Sequence, residues 1–545
     1  MMKDAVLIDP ITLEVLRHAL ATVAEEMNAN LIRTAYSPNI KERHDCSCAI
    51  FDRHGKMAAQ AESIPVHLGA MPFSVAEAIH RISTFHPGDV IVLNDPYFGG
   101  AHLPDITFIA PVFVEGELFA FVACRAHHAD IGGKEPGSVA GDTTEIYQEG
   151  LRIPPISLWR EGHLDQDLVD LILLNVRTPQ ERMGDLRAQH AACETGIERM
   201  QALATRFGAG LLSGGMEAIM AYSERRMRAE IARLPRGTAT YEDFLDGDGI
   251  TNDPIRIVAK VTIRGKTVQV DFTGTAPVTA GPVNAVYAVT ASATYFTIRA
   301  LTDPEIPPNA GCYLPIKIVA PPNTVVNANP PAPVVGGNLE TSQRIVDVLL
   351  GAFAQLCPRR VIAACQGTMN NLTIGGVNPG TGEPYTLYET IAGGFGARPN
   401  MDGVDGVHSH MTNTFNTPVE ALEIAYPLRV ERYELISGSG GKGRFRGGLG
   451  IRRDITVIGH TARVSLLADR RQTQPYGLNG GEPGKAGENV LIRSGKEIPL
   501  PGKGAVTLHA GETVSLRTPG GGGYGTAAER DRGAIERDRR EGRMC

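Results

Sequence analysis

The chain has 545 residues, with 53 Lys and Arg against 60 Asp and Glu for a net charge of −7, and it carries 62 Gly and 36 Pro. Gly and Pro together make 98 of 545 residues. That is above ordinary usage and below the roughly 25–30% of low-complexity chains, so with 42% hydrophobic residues the sequence reads as globular and rich in turns. The acidic balance disfavours a dominant nucleic-acid or anionic-membrane role, and no run of ~18 apolar residues predicts a transmembrane helix.

In chain order, Met1-Met2-Lys3-Asp4 leads into an amphipathic segment without the apolar run of a signal peptide. Asp9-Pro10 reads as a helix cap followed by Pro at the first helical position, and Leu13, Leu16, Leu20, Val23, Met27 and Leu31 predict a helix over about 10–35. Strand character follows over 43–52, a helix is expected near 70–83, and 89–94 is a short buried strand running into the loop 95–100. The apolar runs 106–114 and 118–126, split by Glu115-Gly116-Glu117, predict a hairpin. Residues 166–234 are helical in period, with a Gly-rich break near 208–215. Beyond Pro235-Arg236-Gly237, 255–275 alternates like strands, 306–335 is Pro-rich and irregular, and a helix is expected over 338–357. From 431 to 525 many Gly and short apolar runs predict an all-β region with many turns.

These patterns predict an α+β, multi-domain fold: an N-terminal mixed α/β, metal-binding region over 1–237, a mixed α/β middle region over 238–430 and a Gly-rich β region over 431–525. The charged stretch 526–545 is expected to be a solvated tail or a peripheral helix. Eight cysteines without a C-x-x-C pair predict buried free thiols in a reducing cytoplasm.

The hairpin carries the most specific reading. With 115–117 as its loop, position 114 faces 118 and Asp105 lies opposite His127, close enough to share a cation. The even positions form a continuous apolar face that includes His128, whereas Asp105, Thr107, Arg125 and His127 fall on the odd face. His127 is therefore the ligand candidate and His128 a packed histidine with a local partner; a one-residue bulge would exchange them. His102 precedes Asp105 by three residues, so the two converge if the backbone between them turns. Imidazole plus carboxylate suits a divalent ion such as Mn, Fe or Zn, and the absence of thiolate argues against a structural Cys-type zinc site. The same residues also read as a hydrogen-bonded loop with Asp105 capping a strand. Asp45 reads either as a packed carboxylate or as a fourth ligand. His408 and His410, followed by Asn413 and Asn416, have the polarity of a pocket wall. The run Gly438-Ser439-Gly440-Gly441-Lys442-Gly443 departs from the phosphate-loop pattern and reads, like Gly520–Gly523, as a cluster of turns.

At these same residues the sequence resembles a known family. Glu42-Arg43-His44-Asp45-Cys46-Ser47, Asn94-Asp95-Pro96-Tyr97 with Gly99 to Asp105, and Ala126-His127-His128-Ala129-Asp130-Ile131-Gly132-Gly133 resemble the hydantoinase B/oxoprolinase family. So do Thr144-Glu145-Ile146 to Pro155, Met411-Thr412-Asn413-Thr414 to Glu420, and Thr518-Pro519-Gly520 to Gly525. The resemblance implies a β-type subunit that works with a separate hydantoinase A-type subunit, in an α2β2 assembly, to open hydantoins, 5-oxoproline or lactams with ATP bound by that partner. It implies a divalent metal held by His102, Asp105 and His127, with Asp45 as a fourth ligand, and catalysis by the same residues. Two other roles are compatible with it: a subunit of an ATP-dependent ketone carboxylase, and a non-catalytic scaffold for the A-type subunit. Phe395 stands where relatives usually carry a Gly run before Ala-Arg-Pro.

Overall fold

Asp9 accepts hydrogen bonds from the N–H groups of Ile11 and Thr12, and Pro10 takes the first helical position, so the chain enters helix α1 (Pro10–Thr34) as its sequence predicts. The structure, a computed structural model, describes residues 8–544; the Met1–Asp4 start and Cys545 lie outside the described residues. After the short helix α2 (Pro38–Lys41) come β1 (Cys46–Asp52), β2 (Met57–Gln60), α3 (Pro65–Arg81), β3 (Val90–Leu93), β4 (Asp105–Val114), β5 (Glu117–His127), β6 (Ile156–Arg160) and β7 (His163–Leu164). The strands form one sheet in the order β2-β1-β5-β4-β3-β6-β7.

Both faces of this sheet are covered. Even positions such as Ile106, Phe108, Ala110, Val122 and Cys124 enter the main core, against which α1 and α5 (Pro179–Phe207) pack. Odd positions such as Ile109, Phe121 and Ala123 meet Met71 and Val75 of α3 in a smaller core. The expected helix at 70–83 therefore begins five residues earlier, because Pro65 supplies the fixed φ of a first helical position. The helical block resolves into α4 (Gln166–Leu174), α5 and α6 (Ala209–Arg233), and the expected break at 208–215 is Gly208 alone, at φ +83°. Gly215 lies inside α6, where a side chain would run into Leu16 of α1. The seven described cysteines are buried free thiols.

A second sheet, ordered β11-β10-β9-β8, comprises β8 (Gly237–Leu245), β9 (Ile255–Arg264), β10 (Thr267–Asp271) and β11 (Ile316–Val319). Helix α7 (Tyr287–Leu301) packs on both α3 and α9 (Ser342–Leu356), which in turn covers β8 and β9, so the two sheets share one core. The short helix α8 (Ala310–Tyr313) and β11 interrupt the otherwise irregular 306–335 segment.

The remaining strands form two packed sheets. One is β13-β12-β16-β19, from β12 (Asn371–Val377), β13 (Pro384–Thr390), β16 (Ala462–Leu467) and β19 (Lys503–Leu508). The other is β14-β15-β20-β17-β18, from β14 (Leu428–Leu435), β15 (Ile451–Val457), β17 (Glu488–Arg493), β18 (Lys496–Leu500) and β20 (Thr513–Arg517). Leu372, Ile374 and Val464 meet Ile455, Leu491 and Val514 between them. Helix α10 (Val419–Ala425) precedes β14, and α11 (Arg532–Arg540) lies in the charged C-terminal stretch. The expected fold class, α+β, holds.

Many glycines take the positive φ of turns, as expected, but part of the surplus is used differently. Gly394, Gly447, Gly448, Gly521 and Gly523 have no positive φ and sit in extended segments where an added Cβ would meet the backbone of a neighbouring segment, such as the carbonyls of Gly448, Gly521, Val404, Phe395 and Lys442. These glycines are needed because backbones pack directly on one another.

Candidate metal centre

The loop that delivers His102 is clamped at its base. Asn94 donates from Nδ2 to the carbonyls of Leu103 (2.8 Å) and Leu151 (2.9 Å) and accepts the Ile153 N–H at 2.7 Å. Gly99 takes φ +84° against the backbone of Phe73, a position only glycine fits. The chain then turns tightly, with the Asp105 N–H donating to the His102 carbonyl at 3.1 Å. This is the turn that His-x-x-Asp convergence requires.

The hairpin reaches its expected register by a different route. Val114 faces Glu117, so the turn is the two-residue Glu115-Gly116, with φ of +53° and +84°. A bulge then leaves Phe119 unpaired between Val112↔Ala120 and Phe113↔Leu118. The two one-residue departures cancel, and Asp105 lies opposite His127.

Three imidazoles surround one carboxylate oxygen. Asp105 Oδ1 is 2.9 Å from His102 Nε2, 3.2 Å from His127 Nδ1 and 3.4 Å from His67 Nε2. Donor atoms of His102, Asp105 and His127 all lie within 4.8 Å of one another. His102 Nδ1, Asp105 Oδ2 and His127 Nε2 are buried without a hydrogen-bond partner, and His102 Nε2 has only its contact with Asp105. A buried polar atom left unpaired costs about 1–3 kcal/mol, so three in one cluster make a donor set that a cation satisfies. The residues fit a divalent ion with mixed nitrogen and oxygen ligation.

Electrostatics agree with that donor set. Burial alone would raise the Asp105 carboxyl, but the His102 and His67 charges and the His127 hydrogen bond hold it well below the usual range. Burial lowers the His127 pKa, against the opposing pull of Asp105 and Asp45, which favours the neutral imidazole that a metal needs. The His127 carbonyl accepts from Asn39 Nδ2 at 2.5 Å. Its ring stacks on Tyr388 at 4.4 Å, and the Arg43 guanidinium lies 5.0 Å from the Tyr388 ring centre. Arg43 is itself buried and donates to the carbonyls of Tyr388 (2.8 Å) and Phe415 (3.1 Å). The C-terminal strands thus roof a site built on the N-terminal sheet.

His128 faces the opposite side, where Nε2 lies 2.9 Å from Gln189 Oε1 and burial lowers its pKa to about 4. Asp45 is outside the three-residue group. Its carboxylate is 3.7 Å from His67 Nε2, and its carbonyl accepts the His127 N–H at 3.0 Å. His67 is the residue that the sequence reading misses. It lies in the first turn of α3, its Nε2 directed at both carboxylates and its Nδ1 3.4 Å from Ser47 Oγ. Pro65, two residues before it, was the available signal. His410 joins a separate buried network: its Nε2 is 3.1 Å from Asp347, which also accepts from Arg470 at 2.7 Å. His408 Nε2 lies 3.5 Å from Thr414 Oγ1, Asn416 donates to the Thr390 carbonyl at 2.8 Å, and Asn413 is exposed.

The profile of the hydantoinase B/oxoprolinase family matches residues 9–527. The chain belongs to the hydantoinase B/oxoprolinase family. It is 43% identical to an uncharacterised protein of Methanocaldococcus jannaschii over 97% of this chain and 93% of that one. It is 36% identical to a Pseudomonas sp. protein that bears the provisional name of a D-/L-hydantoinase subunit, over 96% of this chain and 91% of that one. With the 5-oxoprolinase of Dictyostelium discoideum it shares 39% identity over 95% of its own length but only 40% of that larger protein. The fold superposes on the ATP-dependent caprolactamase of Pseudomonas jessenii with a TM-score of 0.93 at 30% identity, covering 99% of this chain and 95% of that one. An acetone carboxylase shares the fold, with a TM-score of 0.90 at 21% identity over 98% of this chain and 78% of that one. The Phe395 ring stands 6.5 Å from the His410 ring, centre to centre. Among the described residues no helix is long and apolar enough to cross a membrane.

Proposed function

We propose that this chain is the metal-bearing subunit of an ATP-dependent cyclic amide hydrolase, acting on a hydantoin, 5-oxoproline or a lactam together with a hydantoinase A-type subunit that uses the ATP. The observation that carries the reading is the buried His102, Asp105 and His127 group with its unpartnered donor atoms, in a chain similar along nearly its whole length to a caprolactamase.

A ring amide resists water, and phosphorylation of its oxygen on the partner would make the ring carbon electrophilic, so that water adds there. The ring C–N bond then breaks with the nitrogen leaving as a protonated amine, and the acyl phosphate left behind is hydrolysed to carboxylate and phosphate. His102, Asp105 and His127 would hold a divalent ion, which would supply Lewis-acid polarisation of the carbonyl and an activated water. Asp105 sets the geometry, because its one oxygen faces three imidazoles. Asn39 holds the His127 backbone, Tyr388 stacks on its ring, and Ser47 holds His67 with Nε2 turned inward. Asp45, His67, His102, Asp105 and His127 are all buried, which keeps bulk water from the activated substrate.

The test is co-expression with an A-type subunit and measurement of ATP turnover over hydantoins, 5-oxoproline, lactams and ketones. ATP-coupled ring opening of a cyclic amide supports the proposal. Bicarbonate-dependent turnover with a ketone, or ring opening by the partner alone, overturns it.

A further inference from the structure

A cavity of about 490 Å³ lies between the Gly438–Gly443 segment and helix α11. Its lining includes Lys442, Lys485, Arg446, Arg530 and Arg543 and, among the described residues, no carboxylate. In a chain of net charge −7 that concentration of cations is a local feature with its own cause.

Four carboxylates around the wall neutralise part of it. Arg446 donates to Asp405 at 2.9 Å, Arg530 donates to Asp402 at 2.7 and 2.8 Å and pairs with Asp538, and Arg543 pairs with Asp405 at 2.7 Å and with Glu541 at 2.9 Å. Lys442 and Lys485 are exposed, and neither ammonium has an ion-pair partner among the described residues. The two guanidiniums at the back are buried, with side chains 4% exposed in Arg446 and 6% in Arg530. Each keeps an N–H without an acceptor: Nη2 of Arg446 and Nε of Arg530. Buried, unpaired guanidinium donors beside two free ammoniums call for an anion with several oxygens, the geometry a phosphate group offers.

We infer that this cavity binds a phosphate-bearing small molecule. The phosphate oxygens pair with Arg446 and Arg530 at the back and with Lys442 and Lys485 at the mouth, and Ile535 supplies an apolar wall for whatever the phosphate carries. The segment is not a phosphate loop of the strand–loop–helix kind, because no helix follows it; side-chain cations do the work there. The Gly438 N–H donates to the Arg543 carbonyl at 3.0 Å, so the segment after α11 closes one side of the cavity. This site is independent of the metal centre and of the reaction proposed for it.

The experiment is calorimetric titration of the full chain, stripped of metal with a chelator so that the metal centre offers no competing phosphate site. Inorganic phosphate, pyrophosphate and ADP without Mg²⁺ are titrated at low and high salt. Saturable binding that weakens with salt, and that falls roughly tenfold or more in Lys442→Glu/Lys485→Glu, is expected. Both lysines are exposed, so the variant folds, and a circular dichroism spectrum checks this. Tighter binding of ADP than of pyrophosphate assigns a nucleotide, and equal binding assigns the phosphate chain alone. No binding of any of the three at 10 mM probe concentration, or binding unchanged by the double substitution, overturns the inference.

Discussion

Asp105→Asn is the sharpest perturbation of the metal centre. The substitution keeps shape and volume but removes the charge that faces His102 at 2.9 Å, His127 at 3.2 Å and His67 at 3.4 Å. Loss of an outer partner of a metal ligand costs roughly 10–100-fold in affinity, and one charge-assisted contact is worth about 1.5–3 kcal/mol. Removing the anionic donor itself should therefore weaken metal binding by about 100-fold or more. A ligand present at 100 times its dissociation constant stabilises the fold by about 2.7 kcal/mol, which falls to about 0.4 kcal/mol once affinity drops 100-fold. Thermal unfolding with and without added Mn²⁺ or Zn²⁺ reads this directly, with metal content after dialysis as the second readout. The wild type should gain stability and retain metal, and Asp105→Asn should do neither while keeping its far-UV circular dichroism. Wild-type metal content and stabilisation in the variant would refute the reasoning.

His67→Asn should lower metal retention by less than Asp105→Asn, because His67 faces the carboxylates and is not among the three mutually close donors; equal loss in both would make His67 a full ligand. Gly116→Ala should destabilise the hairpin by about 1 kcal/mol from the positive φ alone, since nothing lies within 4 Å of the added carbon, and leave metal content unchanged; chemical denaturation with metal analysis checks both. The His410 pKa is pushed up to about 10: burial alone would lower it, but the Cys365 thiol and the Asp347 carboxylate outweigh that effect. A raised folded pKa contributes stability that is complete below the ordinary value of about 6.5 and lost as pH rises through 10. Unfolding midpoints should therefore fall across that range in the wild type, and the decline should flatten in His410→Asn, a residue that tolerates the φ of +55° found there.

The hairpin shows why part of the site could be read in advance. Alternation fixes which residues share a face, and burial of both faces leaves no tolerance for a slipped register. Asp105 therefore meets His127 even though turn length and strand pairing each differ by one residue from the simplest reading. His67 was hidden because its role depends on where a helix starts, and Pro65 moves that start five residues upstream of the apolar periodicity. The roof over His127 was hidden for another reason: Tyr388 and Arg43 are 345 positions apart and meet only through packing of the C-terminal strands. The glycines of 431–525 read as turns because composition alone does not separate a residue needed for its φ from one needed for backbone contact.

The proposed reaction requires a metal held by His102, Asp105 and His127. The most direct measurement is His102→Ala assayed beside the wild type with the A-type subunit present, following bound metal and ATP-dependent opening of the best cyclic amide in the same preparation. Metal and ring opening should be lost together while the subunits still associate. Full metal content with undiminished ring opening in His102→Ala would contradict that assignment.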